Sequence, residues 1–211
     1  MNTSIVSYRY VDQLTNCRRL LKEQVQPKLS TLQLAAVTEQ RAALHQRITK
    51  WQQIQTCYMP AVSMLRTNDL VEDGEVIYSE DMTLYLPSAC PKTVAVPKNL
   101  VDIEKRLRLA QADDTLAELR RLLRVSSSLW QYKKTQVAPS QRAGTCARSL
   151  LTRFKDKVDR CADQYRAAHQ ALIGLDPEGD WSQRLCVLKA EHVKGPRRDE
   201  DDKSEGRREL S

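Results

Sequence analysis

The sequence has few of the residues that build sheets, tight turns and aromatic cores. Its 211 residues include one Phe, three Trp, six Gly and eight Pro. Glycine and proline supply the turns of small β-folds, so their scarcity disfavours a sheet-based architecture. Charged residues make up 29% and hydrophobic residues 41% of the chain, a balance that suits helices with exposed faces. We therefore predict an all-α protein whose long amphipathic helices form hairpin or coiled-coil-like bundles.

Signals for export and membrane insertion are also missing. Residues Met1–Tyr10 lack a basic region followed by a long apolar run, which a secretory leader would need. No window approaches the roughly 20 apolar residues that span a bilayer. We therefore expect an intracellular protein without membrane contact, whose cysteines stay reduced.

Paired metal ligands and catalytic motifs are absent from the sequence. The six cysteines form no CxxC or CxxxxC pair, and the histidines His45, His169 and His192 lie far apart. Cys17, Cys57 and Cys161 are predicted to be small apolar core residues. No GxSxG, P-loop, HExxH or GxGxxG motif occurs. The sequence thus predicts no catalytic, cofactor-binding or metal site, no enzyme activity and no small-molecule substrate.

Carboxylates cluster at two places where a metal site could be considered. Asp113 and Asp114 are adjacent, but neighbouring helical side chains point about 100° apart, so a helix break or cap is the favoured interpretation. The acidic run from Asp69 to Asp81 lacks the alternating ligands and terminal Glu of a calcium loop. Its like charges predict a solvated loop.

Changes in composition divide the chain into four segments. Residues 1–67 are predicted as an N-terminal helical hairpin, and residues 68–98 as an acidic, proline-containing linker loop. Residues 99–194 are predicted as a C-terminal helical bundle, and residues 195–211 as a disordered charged tail. Asn99 is a plausible N-cap, Gly144 a turn residue and Gly174 a C-cap.

Heptad spacing gives the clearest secondary-structure signals. In the first half, apolar or aromatic residues recur every seven positions at Val37, Leu44, Trp51, Tyr58 and Leu65. Pro60 should bend or end this helix near its last residues. In the second half, a narrow seam runs from Leu151 to Leu172 through Phe154, Val158, Cys161, Tyr165 and Ala168. We also predict a buried stripe at the start of the C-terminal bundle, formed by Leu100, Ile103, Leu107 and Ala110. A short helix is predicted near residues 180–192. The Leu151–Leu172 seam could mediate self-association.

A net charge of +7 raises the question of a nucleic-acid partner. The bases after the linker are Arg120, Arg121, Arg124, Lys133, Lys134, Arg142, Arg148 and Arg153. Trp130 and Tyr132 are the aromatics among them, which is a thin platform for stacking bases. Arg and Lys also cover apolar helix flanks with their stems. The structural interpretation is favoured, and a DNA contact stays open.

Several ordered motifs resemble fungal transposases of the Kyakuja–Dileera–Zisupton (KDZ) superfamily, the type associated with CxC cysteine clusters. The segment from Arg47 to Pro60 is similar to the family pattern R-I-x-x-W-x-x-x-Q-x-x-Y-M-P. Leu84–Ser88 resembles its L-x-L-P-S, and Asp102–Leu116 resembles its E-x-x-L-R-x-A-Q-x-x-D-x-L helix. Tyr165–Ala168, Trp181–Leu188 and Ser204–Ser211 match in the same order. The resemblance covers about Leu14 to Ser211.

This resemblance implies a place after the catalytic core of such an enzyme. The RNase-H-like core with its acidic metal ligands, and the family's cysteine cluster, would lie upstream of the matched residues. The chain is therefore expected to be a non-catalytic C-terminal helical fragment of a KDZ-like transposase, from a decayed or partly annotated transposon copy. The alternative is a stand-alone helical interaction or DNA-contacting protein. The family resemblance suggests the nucleus, and the cytoplasm stays open.

Overall fold

The computed structural model describes residues 3–25, 30–71, 78–136 and 141–195, and no residue in these ranges lies in a β-strand. This confirms the all-α prediction. The α-helices in the described ranges are α1 (Thr3–Gln24), α2 (Thr31–Tyr58), α3 (Val62–Val71), α4 (Lys98–Gln136) and α5 (Gln141–Leu175). Short 3-10 turns cover Pro87–Ala89, Asp180–Gln183 and Ala190–His192. The chain divides into two compact units, Met1–Leu107 and Arg108–Ser211.

Helices α1 and α2 of the first unit pack as an antiparallel hairpin. Their shared core contains Leu14 and Leu21 of α1 and Val37, Leu44, Ile48 and Trp51 of α2. The predicted heptad is confirmed at Val37, Leu44 and Trp51, which are all buried. It stops there: α2 ends at Tyr58, just before Pro60, and the Tyr58 side chain is 53% exposed. The proline ends the seam because it cannot donate the next helical hydrogen bond.

The start of α2 is fixed by a reciprocal cap. Ser30 lies in extended backbone, its hydroxyl oxygen accepts a hydrogen bond from the Gln33 N–H at 3.3 Å, and the Ser30 N–H donates to the Gln33 side chain at 2.9 Å. Two backbone N–H donors that have no partner within the first helical turn are thereby satisfied. This cap sets where the hairpin turns into its second helix.

Replacing Ser30 by Ala should lower the free energy of unfolding by about 1 kcal/mol, because the first turn of α2 loses an acceptor. Urea denaturation followed by circular dichroism measures the change. Gln46→Ala, an exposed position on the same helix, is the matched control and should stay within about 0.5 kcal/mol of the parent. Equal losses in the two variants would contradict the capping role.

The end of the acidic run packs on the hairpin, contrary to the prediction of a solvated loop. Glu80 is 3% exposed and forms an ion pair with Arg41 of α2. Its backbone oxygen accepts a hydrogen bond from Arg18 Nε at 2.9 Å. The prediction fails here because the Arg41 guanidinium pairs with the buried carboxylate and offsets part of the cost of burying its charge. The acidic residues Glu72, Asp73 and Glu75 lie outside the described residues.

The following apolar patch also belongs to the first unit. Leu84 is buried in the hairpin core, with Met82 and Leu86 packed beside it. The Gln55 side-chain amide donates a hydrogen bond to the Tyr85 backbone oxygen. Residues 79–86, which lie in the predicted linker, are therefore held on the hairpin by apolar contacts and a buried amide.

In the second unit, the predicted seam of α5 is buried. Val158, Cys161, Tyr165, Ala168 and Leu172 are all at most 6% exposed. They pack against Ala112, Leu119 and Leu122 of α4 and against Trp181 and Leu185. Most of the seam thus has its partner within the same chain, so its burial needs no second copy.

Several predicted helix boundaries are wrong, because α4 and α5 are longer than their local signals indicate. Asp113 and Asp114 lie inside the continuous helix α4, and Asp113 forms an ion pair with Arg184 at 2.9 Å. Asn99 also lies within α4, and Gly144 and Gly174 lie within α5. The cost of an interior glycine is about 1 kcal/mol, which the packing of the long buried seam outweighs.

The predicted stripe at the start of α4 is also corrected. Leu100, Ile103 and Leu107 are half-buried and Ala110 is exposed, whereas Glu104 is completely buried. The apolar pattern alone did not reveal this carboxylate, because its hydrogen-bond donors come from another segment of the chain.

Residues 176–195 form a C-terminal strap across α4 and α5. Instead of the short helix predicted near 180–192, two 3-10 turns occur there, and Trp181 and Leu185 are buried as predicted. The Tyr165 hydroxyl donates to the Cys186 backbone oxygen at 2.7 Å, and Arg166 Nε donates to that of Leu188 at 3.0 Å. Because these side chains bind strap carbonyls, the strap needs no regular helix to satisfy its backbone.

Candidate nucleic-acid interface

A groove opens in the second unit between the last part of α4, the first part of α5 and the end of the strap. Its volume is about 1020 Å³. The α5 residues that line it recur every three or four positions from Arg148 to Arg166, which places them on one face of the helix. Helix α4 contributes residues from Leu123 to Thr135, and the strap contributes Ala190, Val193 and Gly195. The groove is therefore built from three segments whose lining residues are 13 to 72 positions apart in sequence.

Cations dominate the lining of this groove. Its basic residues are Arg124, Lys134, Arg148, Lys155 and Arg166, and its acidic residues are Asp159 and Asp163. Arg166 is engaged, with an ion pair to Asp163 at 2.7 Å. Within the described part of the chain, the side chains of Arg124, Arg148 and Lys155 have no carboxylate partner. Three positive charges are thus available to an anion from outside.

Aromatic and hydroxyl groups at the groove contribute less. Lys134 Nζ lies 5.1 Å from the centroid of the half-buried Trp130 ring, within the range of a cation–π contact. The hydroxyls of Ser128, Thr135 and Thr152 donate to backbone oxygens of their own helices at 3.0–3.1 Å. Because these donors are used, the positive charges set the binding chemistry of the groove.

The structure separates the basic residues that the sequence presented together. Arg124, Lys134 and Arg148 line the groove. Arg120 and Arg153 are exposed elsewhere on α4 and α5, and Arg121 forms an ion pair with Glu118 at 2.6 Å. Lys133 lies in the last turn of α4, where a cation offsets the helix dipole. The side chain of Arg142 lies outside the described residues, and Tyr132 is 59% exposed.

Two basic residues of the groove, Lys155 and Arg166, were missed by the sequence reasoning. Lys155 follows Arg148 by seven positions and therefore shares its helix face. That spacing could have identified it, but the surrounding acids Asp156 and Asp159 indicated an evenly solvated surface. Because the apolar seam of α5 is buried against α4, Lys155 and Asp159 line the groove, whereas Asp156 does not.

A buried carboxylate in the first unit is the other unusual polar group. Glu104 accepts hydrogen bonds from the Ser88 backbone N–H at 2.9 Å and from the Ser88 hydroxyl at 2.7 Å. A serine beside a carboxylate can resemble a nucleophile and its base. Glu104 is 0% exposed, however, so no substrate reaches the pair unless the unit opens. The arrangement therefore ties Pro87–Ala89 to α4.

The six cysteines are free thiols, and the surroundings of Cys90 and Cys161 disfavour the thiolate. Burial, and secondarily Glu104, raises the pKa of Cys90, and burial raises the pKa of Cys161. A raised pKa lowers the thiolate fraction at neutral pH. Of the predicted core cysteines, Cys161 is buried and Cys17 half-buried, but Cys57 is exposed, which corrects that prediction. Its position on α2 faces away from α1.

In the described ranges, no group of three or more His, Cys, Asp or Glu side chains is positioned to hold a metal ion. None of the helices described there is both long and apolar enough to cross a membrane. Comparison of the chain with family models, curated proteins and solved structures gives no match.

Proposed function

We propose that this chain acts by binding, as a non-catalytic helical region of a KDZ-type transposase that holds DNA through the groove between α4 and α5. The observation that carries the DNA contact is the set of three groove cations without carboxylate partners, Arg124, Arg148 and Lys155. Each cation that neutralises a phosphate releases condensed counterions, which favours binding. The ordered KDZ-like motifs support the transposase part of the proposal.

The geometry suits the phosphate backbone better than base edges. Arg148 and Lys155 are seven residues apart on α5, so their Cα atoms lie about 10 Å apart along the helix. Such a row can follow successive phosphates of one strand. Amide side chains that could read adenine are scarce in the groove, where Gln131 is the one among its described lining residues. We therefore expect binding with little sequence preference.

Replacing both Arg124 and Arg148 by Gln should weaken binding to a labelled DNA duplex by roughly eightfold per residue at 0.1 M salt. The slope of log K against log salt concentration should become less steep by about 0.9 per residue. Fluorescence anisotropy across a salt series measures both quantities.

The matched control replaces Arg120 and Arg153 by Gln. It removes the same charge from the same two helices, at exposed positions outside the groove. If the control weakens binding as much as the groove variant, the contact is a general charge effect and the groove assignment is wrong. If the parent chain does not bind DNA even at low salt, the DNA proposal is wrong.

The transposase part has an independent test, which is the transcript that encodes these helices. A reading frame that continues upstream into an RNase-H-like core with acidic metal ligands would support it. A transcript that joins the helices to an unrelated catalytic domain would contradict it, whatever the DNA affinity.

A further inference from the structure

The strap ends at the basic groove. Val193 and Gly195, at the end of the strap, both line the groove. Gly195 lies so close to α4 that an added Cβ would collide with Ser127 Oγ. The next nearest atom to such a Cβ would be the Leu123 backbone oxygen at 3.4 Å, so the described end of the strap lies directly against α4. The residues after Gly195 are therefore attached to the chain at the groove.

A short run of residues after this point carries the opposite charge to the groove. Asp199, Glu200, Asp201 and Asp202 are four consecutive acids, and they begin four residues after Gly195. Four residues reach at most about 14 Å when extended. The α4 wall from Arg124 to Lys134 covers ten residues, or about 15 Å. The acidic run can thus reach the groove cations from its point of attachment.

Because the acidic run is attached to the strap, it can occupy the groove even if its intrinsic affinity for the groove is low. A ligand on a short flexible linker has an effective concentration of about 1 mM. If the intrinsic Kd of the contact is about 0.1 mM, the groove is occupied in roughly ten of eleven molecules, and DNA binding weakens about tenfold. Arg197 and Arg198 precede the acids and Lys203 follows them, so the negative charge belongs to the uninterrupted run of four acids and not to the whole tail.

We infer that the acidic run Asp199–Asp202 binds the basic groove in its own chain and competes there with DNA phosphates. The inference rests on the proposed function of the groove and adds an internal competitor to it. The groove cations exchange one set of anionic oxygens, the tail carboxylates, for another, the phosphates. DNA with enough phosphate contacts displaces the tail.

The test compares the full chain with a variant in which the run is neutralised by Asp199→Asn, Glu200→Gln, Asp201→Asn and Asp202→Asn. The neutralised variant should bind a labelled DNA duplex about tenfold more tightly at 0.1 M salt. A control variant carries Asp69→Asn, Glu72→Gln, Asp73→Asn and Glu75→Gln, which changes the net charge equally. Equal tightening in both variants would overturn the inference, because net charge alone would then explain the gain.

A second measurement needs no DNA. Carbodiimide cross-linking of the full chain, read by mass spectrometry, should join Lys155 to the acids of residues 199–202 and should fade in high salt. Lys157, two positions away and outside the groove lining, is the matched control lysine. If Lys155 cross-links to the acidic run more than Lys157 does, but no variant binds DNA, the tail contact stands and the DNA proposal is wrong. Groove-dependent DNA binding that is unchanged by tail neutralisation, without Lys155 cross-links, would reject the tail inference alone.

Discussion

Replacing Trp181 by Ala should lower the free energy of unfolding of the second unit by about 3–5 kcal/mol, which is the usual loss when a buried large aromatic side chain is truncated. Trp181 is 6% exposed and lies in the core that α5 shares with Ala112 of α4. Its ring meets His169 edge-on, with centroids 5.3 Å apart. Its Nε1 donates a hydrogen bond to the Asp176 backbone oxygen at 2.8 Å. The side chain thus anchors the strap both by packing and by a polar contact.

Urea denaturation followed at 222 nm measures this loss without relying on tryptophan fluorescence. Trp181→Phe keeps an aromatic ring but removes the indole donor, so it should cost less than the alanine variant. Val187→Ala is the control on the same strap, since Val187 is 62% exposed. A loss below about 0.5 kcal/mol for Trp181→Ala would show that the strap does not stabilise the unit.

Replacing Glu104 by Ala should destabilise the first unit by about 2–4 kcal/mol. The carboxylate is completely buried and accepts hydrogen bonds from the N–H and the hydroxyl of Ser88. The alanine variant removes these acceptors, so a buried backbone donor loses its partner and a cavity remains. The loss should therefore exceed that of an ordinary surface glutamate.

The Ser88–Glu104 interaction can be isolated with a double-mutant cycle. Ser88→Ala removes the hydroxyl donor, and the combined variant should show a coupling energy of about 0.5–3 kcal/mol. Asp102→Ala, an exposed acid on the same helix, is the control and should be nearly neutral. Strict additivity of the two single changes would contradict a direct contribution of the hydroxyl bond.

The helical patterns were predictable wherever burial follows local spacing. Val37, Leu44 and Trp51 recur every seven residues and are buried together, and the seam from Val158 to Leu172 is buried in the same way. A helix repeats its faces every 3.6 residues, so the spacing of apolar side chains reveals a buried face without knowledge of its partner. What the spacing does not reveal is which segment covers that face.

The boundaries of α4 and α5 were less predictable. Asp113 and Asp114 carry local preferences for helix ends, yet both lie in the middle of α4, whereas Gly174 is the second-last residue of α5, close to its predicted cap position. Local preferences are worth about 1 kcal/mol or less, and the packing of long apolar faces exceeds that. Contacts from distant residues also override local preference in the strap. Two of its carbonyls accept hydrogen bonds from Tyr165 and Arg166 of α5, so the strap does not form one regular helix.

The sequence by itself determined that this protein is helical and which faces of α2 and α5 are buried, because both depend on neighbours within a few turns. Only the tertiary structure decided that Glu80 and Glu104 are buried, because Arg41 and Ser88 lie 39 and 16 residues away from them. It also decided that Arg124, Arg148 and Lys155 line one groove while Arg120 and Arg153 do not. A charge on a helix surface becomes part of a site only when another helix packs beside it. That pairing depends on contacts between distant parts of the chain, which local periodicity does not encode.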